Sequence, residues 1–569
     1  MRYAQRIEDY GQIALGLIGL GVLVGAIAGA GAVVFRAMIG VIHNLAFLGT
    51  FSFEYDANQH TPVSPLGPFI VLVPVAGALL VAWLVKTFAP EAKGHGVPEV
   101  IGAVNYNKGR IRPVVALVKS VASAISIGTG GSVGREGPII QIGAAFGSTL
   151  AQWTRLPEWQ RIALIGCGAG GGIAATFNTP LGGILFAVEL IMAEISPRTL
   201  APVILAVVTA TAVGRLYFGD SPSFVIPPLE LSAHQSFAPE VLIAYLLLGV
   251  IQGLGAVVLI RAIYGFEDLF DRMPGNYYSR HALGMLMVGL LMLGLQVHTG
   301  HYAVQGVGYA TIQDILNGAL TAPGLLMLLL GAKLLATSLT LGSGASGGVF
   351  SPSMFIGACL GAAFAYGARA LFPELPLDPI AAAVIGMAGM IAGGTGAALT
   401  VMVMILEMTR EYHAVLPLIL VVGTAHGVRR LIMRDNLYTM KLSRRGQPVS
   451  QSLHTPLLLL RNIADLASTP TREGGKPLRD SDRFHQVLRL DGEVRALWPA
   501  GASRLVPALT QPPDTPILDA VAELRTVGAG AVVITASGRP RDPAVGALTL
   551  EEIAQHGHLP PAYLRKQRR

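Results

Sequence analysis

The chain has 569 residues, of which 52% are hydrophobic and only 13% are charged, and its mean hydropathy is +0.56. This composition is typical of an integral membrane protein and excludes an ordinary soluble domain. The formal net charge is +7, and basic residues cluster at positions 429–445, directly after the last apolar segment. A basic flank indicates the cytoplasmic side of a membrane, and we expect no nucleic-acid partner.

The first apolar segments are long enough to cross a bilayer, which needs about 20 apolar residues. They cover residues 11–47 and 68–87, whereas residues 114–127 are too few to cross alone. The polar start and the long run after it do not fit a cleavable signal peptide. Cys167 and Cys359 lie in apolar glycine-rich stretches without metal-ligand spacing. We therefore predict a multi-pass protein with no metal site, in which the cysteines are small packing residues.

Residues 128–147, GTGGSVGREGPIIQIGAAFG, place one acidic side chain, Glu136, in an apolar and glycine-rich part of the chain. Pro138 suits the first turn of a helix that continues through Phe146. A helix that starts here would direct unpaired N–H groups at whatever lies in front of it, and such groups attract anions. The alternative interpretation is a glycine-rich membrane helix with a polar turn at its end.

Residues 161–194 predict a helix that is broken in the middle. They contain Asn178, Thr179 and Pro180 between two apolar stretches, so we expect one helix to stop and another to start there. At membrane depth, broken helices occur only inside protein or beside a water-filled cavity. Further apolar segments lie at residues 200–218, 244–263, 281–297, 325–341, 347–372, 379–408 and 415–433.

The second half of the chain repeats the first. Pro138 corresponds to Pro352, and glycine, serine and alanine positions around them correspond at the same spacing, which we call the repeat spacing. A second block, at nearly that spacing, pairs Glu189 with Glu407. Chance overlap in a low-complexity chain is the alternative, but two blocks in the same order favour a true repeat.

Inverted repeats are common in secondary transporters, where the substrate site lies between broken helices of the two halves. We predict repeats at about residues 11–218 and 240–433. The shared site would lie between the turn at Glu136 and the turn at residues 348–351.

Three glycine-rich loops stand out, GHGVP at 94–98, GREGP at 134–138 and GGVFSP at 347–352. Together they resemble the loops that mark the CLC family of chloride channels and chloride/proton antiporters. Tyr438, in LYTMKLSRRG, resembles the tyrosine that closes the anion path of that family from inside. The resemblance covers about residues 11–446 and implies an all-α polytopic membrane protein. It also implies a CLC-type inverted repeat that contains broken and re-entrant helices.

The same resemblance implies a homodimer with one anion pore per subunit, in a bacterial inner membrane and with both termini in the cytoplasm. Its substrate would be chloride or a similar small anion, and no cofactor is implied. The dimer contact would fall on residues 181–191, 200–217, 398–408 and 416–430.

The resemblance also assigns site residues. A buried lysine would hold an anion too tightly, whereas a helix N-terminus offers partial charge of roughly +0.5. Ionised, the carboxylate of Glu136 would occupy the anion site and block it, and protonated it would swing away. Glu136 and Tyr438 are therefore the implied gates, although Glu136 could instead form a structural pair with Arg135. The implied anion-binding residues are His95, Gly96, Arg135, Glu136, Gly137, Val349, Phe350 and Tyr438.

Two positions depart from the family pattern. His95 stands where chloride-selective members usually have serine, so an imidazole replaces a hydroxyl donor; alternatively, His95 turns away and only backbone amides serve the ion. Leu190 stands where many antiporters carry an inner carboxylate, and leucine cannot relay a proton. Glu189 and Glu407 correspond to structural acidic positions.

These features favour a passive anion channel gated by Glu136. The alternative is a chloride/proton antiporter in which protons reach Glu136 by another path. An intramembrane enzyme is a third hypothesis, but no HExxH zinc motif occurs, and we do not expect an enzyme.

Residues 447–569 change character, because they are more charged and contain no spanning segment. Residues 515–553 predict a helix and two strands and resemble one CBS module, and residues 463–470 resemble the start of a degenerate first one. We expect a cytoplasmic α/β CBS-like domain that regulates the protein or stabilises the dimer. The first copy lacks its usual helix, so an adenine nucleotide is not an expected ligand.

Overall fold

The computed structural model describes residues 2–192, 196–220, 224, 226–227, 238–447, 449, 462–467, 471–474, 485–500, 504–515 and 517–557. The chain divides into two compact units, Met1–Gln447 and Pro448–Arg569.

The first unit is built from helices of uneven length. Within the described residues they are α1 (Arg2–His43), α2 (Leu72–Phe88), α3 (Val97–Tyr106), α4 (Pro113–Gly128), α5 (Glu136–Trp153), α6 (Glu158–Phe177), α7 (Pro180–Phe186), α8 (Pro197–Phe218), α9 (Pro239–Arg272), α10 (Tyr277–Thr299), α11 (Tyr309–Leu316), α12 (Pro323–Ser343), α13 (Phe350–Leu371), α14 (Pro379–Thr395), α15 (Ala398–Thr409), α16 (Val415–Ile432) and α17 (Leu437–Arg444). Short π-helical or 3₁₀ turns lie at Asn44–Leu48, Gly67–Val71, Pro90–Ala92, Ala187–Ile191 and Tyr412–Ala414. Eight helical segments of the described chain are long and apolar enough to cross a membrane.

The predicted break between two apolar stretches is confirmed. Helix α6 ends at Phe177, and Asn178 adopts the left-handed conformation with φ 59°. Asparagine tolerates this conformation better than most residues. Pro180 then starts α7, since its fixed φ suits a first helical turn.

The packing of the helices also confirms the predicted repeat. Helix α1 packs on α8 as α9 packs on α16, and α5 packs on α6 as α13 packs on α14. The two halves meet where Gly134 and Gly348 exchange both backbone hydrogen bonds, at 2.7 and 2.6 Å. This junction holds the start of α5 beside the start of α13.

Glycine allows the helices of each half to approach at backbone distance. A Cβ atom added at Gly143 of α5 would lie 2.1 Å from the carbonyl oxygen of Gly168 on α6. In the second half, a Cβ at Gly361 of α13 would lie 2.1 Å from the carbonyl oxygen of Ala382 on α14. Small residues at helix contacts are the usual means of tight packing in membranes, where apolar burial alone gives little drive to associate.

The second unit is a six-stranded sheet with helices. Its elements are α18 (Ile463–Leu466), β1 (Thr471–Gly474), β2 (His485–Leu490), β3 (Glu493–Trp498), β4 (Val506–Gln511), α19 (Ile517–Val527), β5 (Ala531–Thr535), β6 (Ala544–Thr549) and α20 (Leu550–Gly557). The strands are paired in chain order, and β1–β2 and β4–β5 are parallel pairs that are each followed by an antiparallel strand. This twofold pattern fits the predicted small CBS-like α/β domain. Residues 468–470, part of the predicted first copy, lie outside the described residues.

Candidate functional site

Three helix starts converge in the interior of the first unit. They belong to α3 at Val97, α5 at Glu136 and α13 at Phe350. The loops in front of them touch through backbone atoms: a Cβ at Gly96 would lie 2.8 Å from the carbonyl oxygen of Gly137, and one at Gly348 would lie 2.8 Å from the amide nitrogen of Gly137. Only glycine permits such contacts, which explains why the loops are rich in it.

Glu136 lies at the centre of this site and is fully buried. Its Oε1 accepts hydrogen bonds from the hydroxyl groups of Tyr309 and Ser351, each at 2.5 Å. Its Oε2 accepts the backbone N–H of Ser351, at 3.3 Å. An ionised carboxylate only accepts hydrogen bonds, so three donors from the second half of the chain match its charged form. The carboxylate of α5 therefore rests on the first turn of α13.

The other predicted residues of these two turns lie close by. Val349 and Phe350 are almost fully buried, and the ring of Phe350 lies 5.7 Å from that of Phe177. Arg135 places its guanidinium 5.1 Å from the centre of the Tyr309 ring. The amide on the carboxylate is that of Ser351, one residue beyond the two that the sequence analysis named.

His95 is almost fully buried, with 4% of its surface exposed. Among the described residues its Nδ1 atom has no hydrogen-bond partner, and its ring stands edge-on to Tyr264 at 6.1 Å. His95 lines a cavity of about 110 Å³, together with Lys441 and Glu267. An unpaired polar atom beside a polar cavity is suited to a water molecule or a small ion.

Tyr438 is also buried and lies in the first turn of α17. The side chain of Asn436 caps this helix by accepting the N–H groups of Tyr438 and Thr439, both at 2.9 Å. The hydroxyl of Tyr264 donates to the Leu437 carbonyl at 2.6 Å. Because the Tyr264 ring also lies edge-on to His95, Tyr264 joins the two predicted residues His95 and Tyr438.

Glu189 and Glu407 each cap the start of a helix in the opposite half of the chain. Glu407 accepts the N–H groups of Leu181 and Gly182 at the start of α7, at 2.9 and 2.8 Å. Glu189 accepts the N–H groups of Leu399 and Thr400 at the start of α15, at 3.0 and 2.8 Å, and the Thr400 hydroxyl at 2.6 Å. Each carboxylate thus satisfies unpaired N–H groups at a helix start and lies at its positive end.

Leu190 follows Glu189 in the π-helical turn and is half-buried. Its side chain offers no hydrogen-bonding group, so it cannot carry a proton at this position.

A second cavity, of about 160 Å³, adjoins two neighbours of Glu136, namely Tyr309 and Arg135. Its lining includes Tyr309 and three arginines, Arg36, Arg135 and Arg215, with Asp56 as the acidic group. The surplus of positive charge raises the local concentration of anions.

Tyr309 and Ser351 are partners of Glu136 that the sequence alone does not predict. Ser351 lies inside a loop that was singled out, but Tyr309 lies 173 residues from Glu136. One signal in the sequence indicates Tyr309 as a site residue. At the repeat spacing that pairs Pro138 with Pro352, Tyr309 corresponds to His95, and Gly308 to Gly94.

Known proteins are similar to this chain in sequence and fold. The family model described as voltage gated chloride channel matches residues 77–430. A protein described as a ClcB-like chloride channel from Ralstonia nicotianae is 34% identical over 382 residues, which are 66% of this chain and 85% of that protein. The H(+)/Cl(-) exchange transporter ClcA of Vibrio vulnificus is 33% identical over 433 residues, which are 72% of this chain and 86% of that protein.

Solved structures agree. A slow cyanobacterial Cl-/H+ antiporter has a TM-score of 0.64 and 25% identity, covering 75% of this chain and 97% of that one. A eukaryotic CLC transporter has a TM-score of 0.61 and 19% identity, covering 95% of this chain and 98% of that one, a likeness of fold alone. With eight apolar candidate spans, the protein is an integral multi-pass membrane protein of anion transport, and it belongs to the CLC family of voltage-gated chloride channels and transporters.

Proposed function

We propose that this protein is a passive chloride channel in which Glu136 is the gate. The observation that carries the proposal is the position of the Glu136 carboxylate, which accepts the Ser351 N–H in the first turn of α13. A helix N-terminus is a ready anion-binding site. A carboxylate held there excludes a halide from the same place, so the ionised side chain is a plug.

Protonation of Glu136 opens the path in this proposal. A neutral carboxyl group loses roughly half of its attraction to the helix start and to the two hydroxyl donors, because hydrogen bonds to a charged group are roughly twice as strong. Chloride then takes the vacated N–H of Ser351 in the α13 turn. On the inner side, the anion meets His95 and Tyr438, with the imidazole and the phenol as donors.

Leu190 favours passive conduction over proton coupling, because the inner end of the usual proton path lacks a titratable group. The second candidate is a chloride/proton antiporter. It is favoured by the relatives named H(+)/Cl(-) exchange transporters. In that case protons would reach Glu136 by another route, for which the cavity that holds His95 and Glu267 is the candidate.

We further propose a homodimer in a bacterial inner membrane, with both termini in the cytoplasm. Large apolar side chains are exposed on the expected dimer helices, including Leu181 (57%), Leu399 (46%) and Ile419 (50%). Lipid or a second copy would cover them. The tail then acts from the cytoplasm as a regulatory or dimer-stabilising domain, without a nucleotide.

The test is to measure chloride and proton flux from one purified sample in liposomes. A channel gives a reversal potential that follows the chloride gradient alone, and no proton uptake when chloride flows. Glu136→Gln, which imitates the protonated side chain, is expected to conduct at every pH, whereas the exposed Glu240→Gln keeps the wild-type pH response. Proton uptake driven by a chloride gradient would refute the channel in favour of the antiporter. Unchanged flux and pH response in Glu136→Gln would show that Glu136 is not the gate.

A further inference from the structure

Tyr309 is the first residue of α11, and 1% of its surface is exposed. Its hydroxyl donates to Oε1 of Glu136 at 2.5 Å and lies 3.1 Å from the Ser351 hydroxyl. Ser351 donates to the same carboxylate oxygen. One atom of the gate is thus held by two hydroxyl groups, one from α11 and one from α13.

The ring of Tyr309 has little freedom to move. The ring of Phe224 lies 4.4 Å from it at an angle of 61°, and the Arg135 guanidinium lies 5.1 Å from its centre. The far end of α11 is tied down as well, since His60 Nε2 lies 2.6 Å from Asp314 Oδ2. The hydroxyl is therefore presented at a fixed place, as positioning of a reactive group requires.

The repeat gives this position a meaning. Tyr309 corresponds to His95 at the repeat spacing, so the same turn of each half supplies one polar side chain to the site. His95 and Lys441 line one cavity, and Tyr309 and Arg36 line the other. Tyr309 therefore contacts both a cavity and the gate carboxylate.

We infer that Tyr309 is a positioning residue, which holds the Glu136 carboxylate in the closed position and thereby sets the pH at which the gate opens. The inference rests on the proposed role of Glu136. A neutral O–H donor stabilises the ionised carboxylate and gives much less to the protonated one. Without the donor, the closed position of the ionised side chain loses one of its hydrogen bonds, and the path opens at a higher pH.

Among the described residues, other charged or titratable groups also interact with the gate or adjoin it. Arg135 precedes Glu136, Lys333 faces it from α12, and Tyr438 faces it from α17. The ammonium group of Lys333 is held by the carbonyls of Val304 and Gly306, at 3.1 and 2.8 Å. Tyr309→Phe deletes one oxygen atom and leaves these groups in place.

The experiment measures chloride flux into liposomes as a function of pH. Tyr309→Phe is expected to move the midpoint of activation upward by about one pH unit, a tenfold change in the protonation equilibrium. Tyr302→Phe is the matched control, because Tyr302 is a buried tyrosine whose hydroxyl accepts the N–H of Ser64 and does not contact Glu136. Its midpoint should stay where it is. If Tyr309→Phe does not give folded protein, Tyr309→Leu is measured instead, with the same expected direction.

A double variant separates positioning from a general structural effect. In the Glu136→Gln background, Tyr309→Phe should add nothing to the pH profile. An unmoved midpoint in Tyr309→Phe, or a shift that persists without Glu136, overturns the inference. If Glu136→Gln abolishes the pH response but Tyr309→Phe does not move it, the gate stands and the role of Tyr309 falls. If Glu136→Gln itself keeps the wild-type response, the gating role of Glu136 and the positioning role of Tyr309 are both refuted.

Discussion

The reciprocal caps of Glu189 and Glu407 make a quantitative prediction about stability. Glu189 accepts three hydrogen bonds from the start of α15, whereas Glu407 accepts two from the start of α7. Replacing either glutamate with alanine leaves these donors without a partner in the protein. Glu189→Ala should therefore cost more than Glu407→Ala, although the two residues are mates in the repeat.

The magnitude follows from the number of bonds. Hydrogen bonds to charged groups contribute roughly 1.5–3 kcal/mol each when buried, and less where water reaches them. Both glutamates are half-buried, so roughly 1 kcal/mol per bond is appropriate. We expect losses of about 3 kcal/mol for Glu189→Ala and about 2 kcal/mol for Glu407→Ala, on that same scale. Because α7 packs on α15, the double variant should be non-additive.

The assay is thermal unfolding in detergent, with Glu240→Ala as the exposed control and ion flux measured alongside. Both cap variants should melt earlier than the control, with Glu189→Ala the earlier of the two. Equal or reversed losses would contradict the bond count. An unchanged melting temperature with altered proton movement would instead place Glu189 on a proton path.

Helix contact and the tail give two further predictions. Gly143→Ala should reduce the yield of monodisperse protein severely, because its Cβ would lie 2.1 Å from the Gly168 carbonyl oxygen. Gly331→Ala, whose Cβ would have nothing within 4 Å, should be tolerated. Equal yields would disprove backbone contact between α5 and α6. In the tail, burial alone would raise the pKa of Glu552, but hydrogen bonds from His485 and the Thr549 backbone outweigh it and lower the pKa to about 2 from 4.5. The carboxylate therefore stabilises the tail above pH 4.5 and loses this contribution, about 2 kcal/mol after allowance for its partial exposure, as the pH falls through 2. Pepsin digestion of the full-length protein should cut the tail increasingly over this range, while Glu552→Gln should be cut readily at pH 5; equal resistance of the two proteins at pH 5 would contradict the linkage.

Much of the fold could be predicted because its signals are local. Asn178 and Pro180 mark the broken helix by their own backbone preferences, and the length of each apolar run limits what it can span. The repeat is a comparison of the chain with itself. The tail was harder, because charged residues interrupt β2 and β3, whereas β5 is a continuous apolar run from Ala531 to Ile534.

The partners of Glu136 could not be predicted in this way. A hydrogen bond across 173 residues of chain leaves no trace in the composition around Tyr309, whose own neighbours read as an ordinary loop. Ser351 was within a recognised turn, but nothing in that turn says which of its groups faces the carboxylate. Both contacts follow from how the two halves are docked, which is set by the glycines between them.

The buried lysines show how the two halves build one site from the same parts. Lys119 donates to two carbonyl groups of the loop that presents His95, at 3.0 and 2.7 Å. Lys333, its mate at the repeat spacing, does the same for the loop that presents Tyr309, at 3.1 and 2.8 Å. Both ammonium groups are thus occupied by carbonyl oxygens. A full positive charge in front of the ion would hold it too firmly for conduction, so the cations fix the loops in place, and the weaker dipoles of N–H and O–H groups are left to meet the anion.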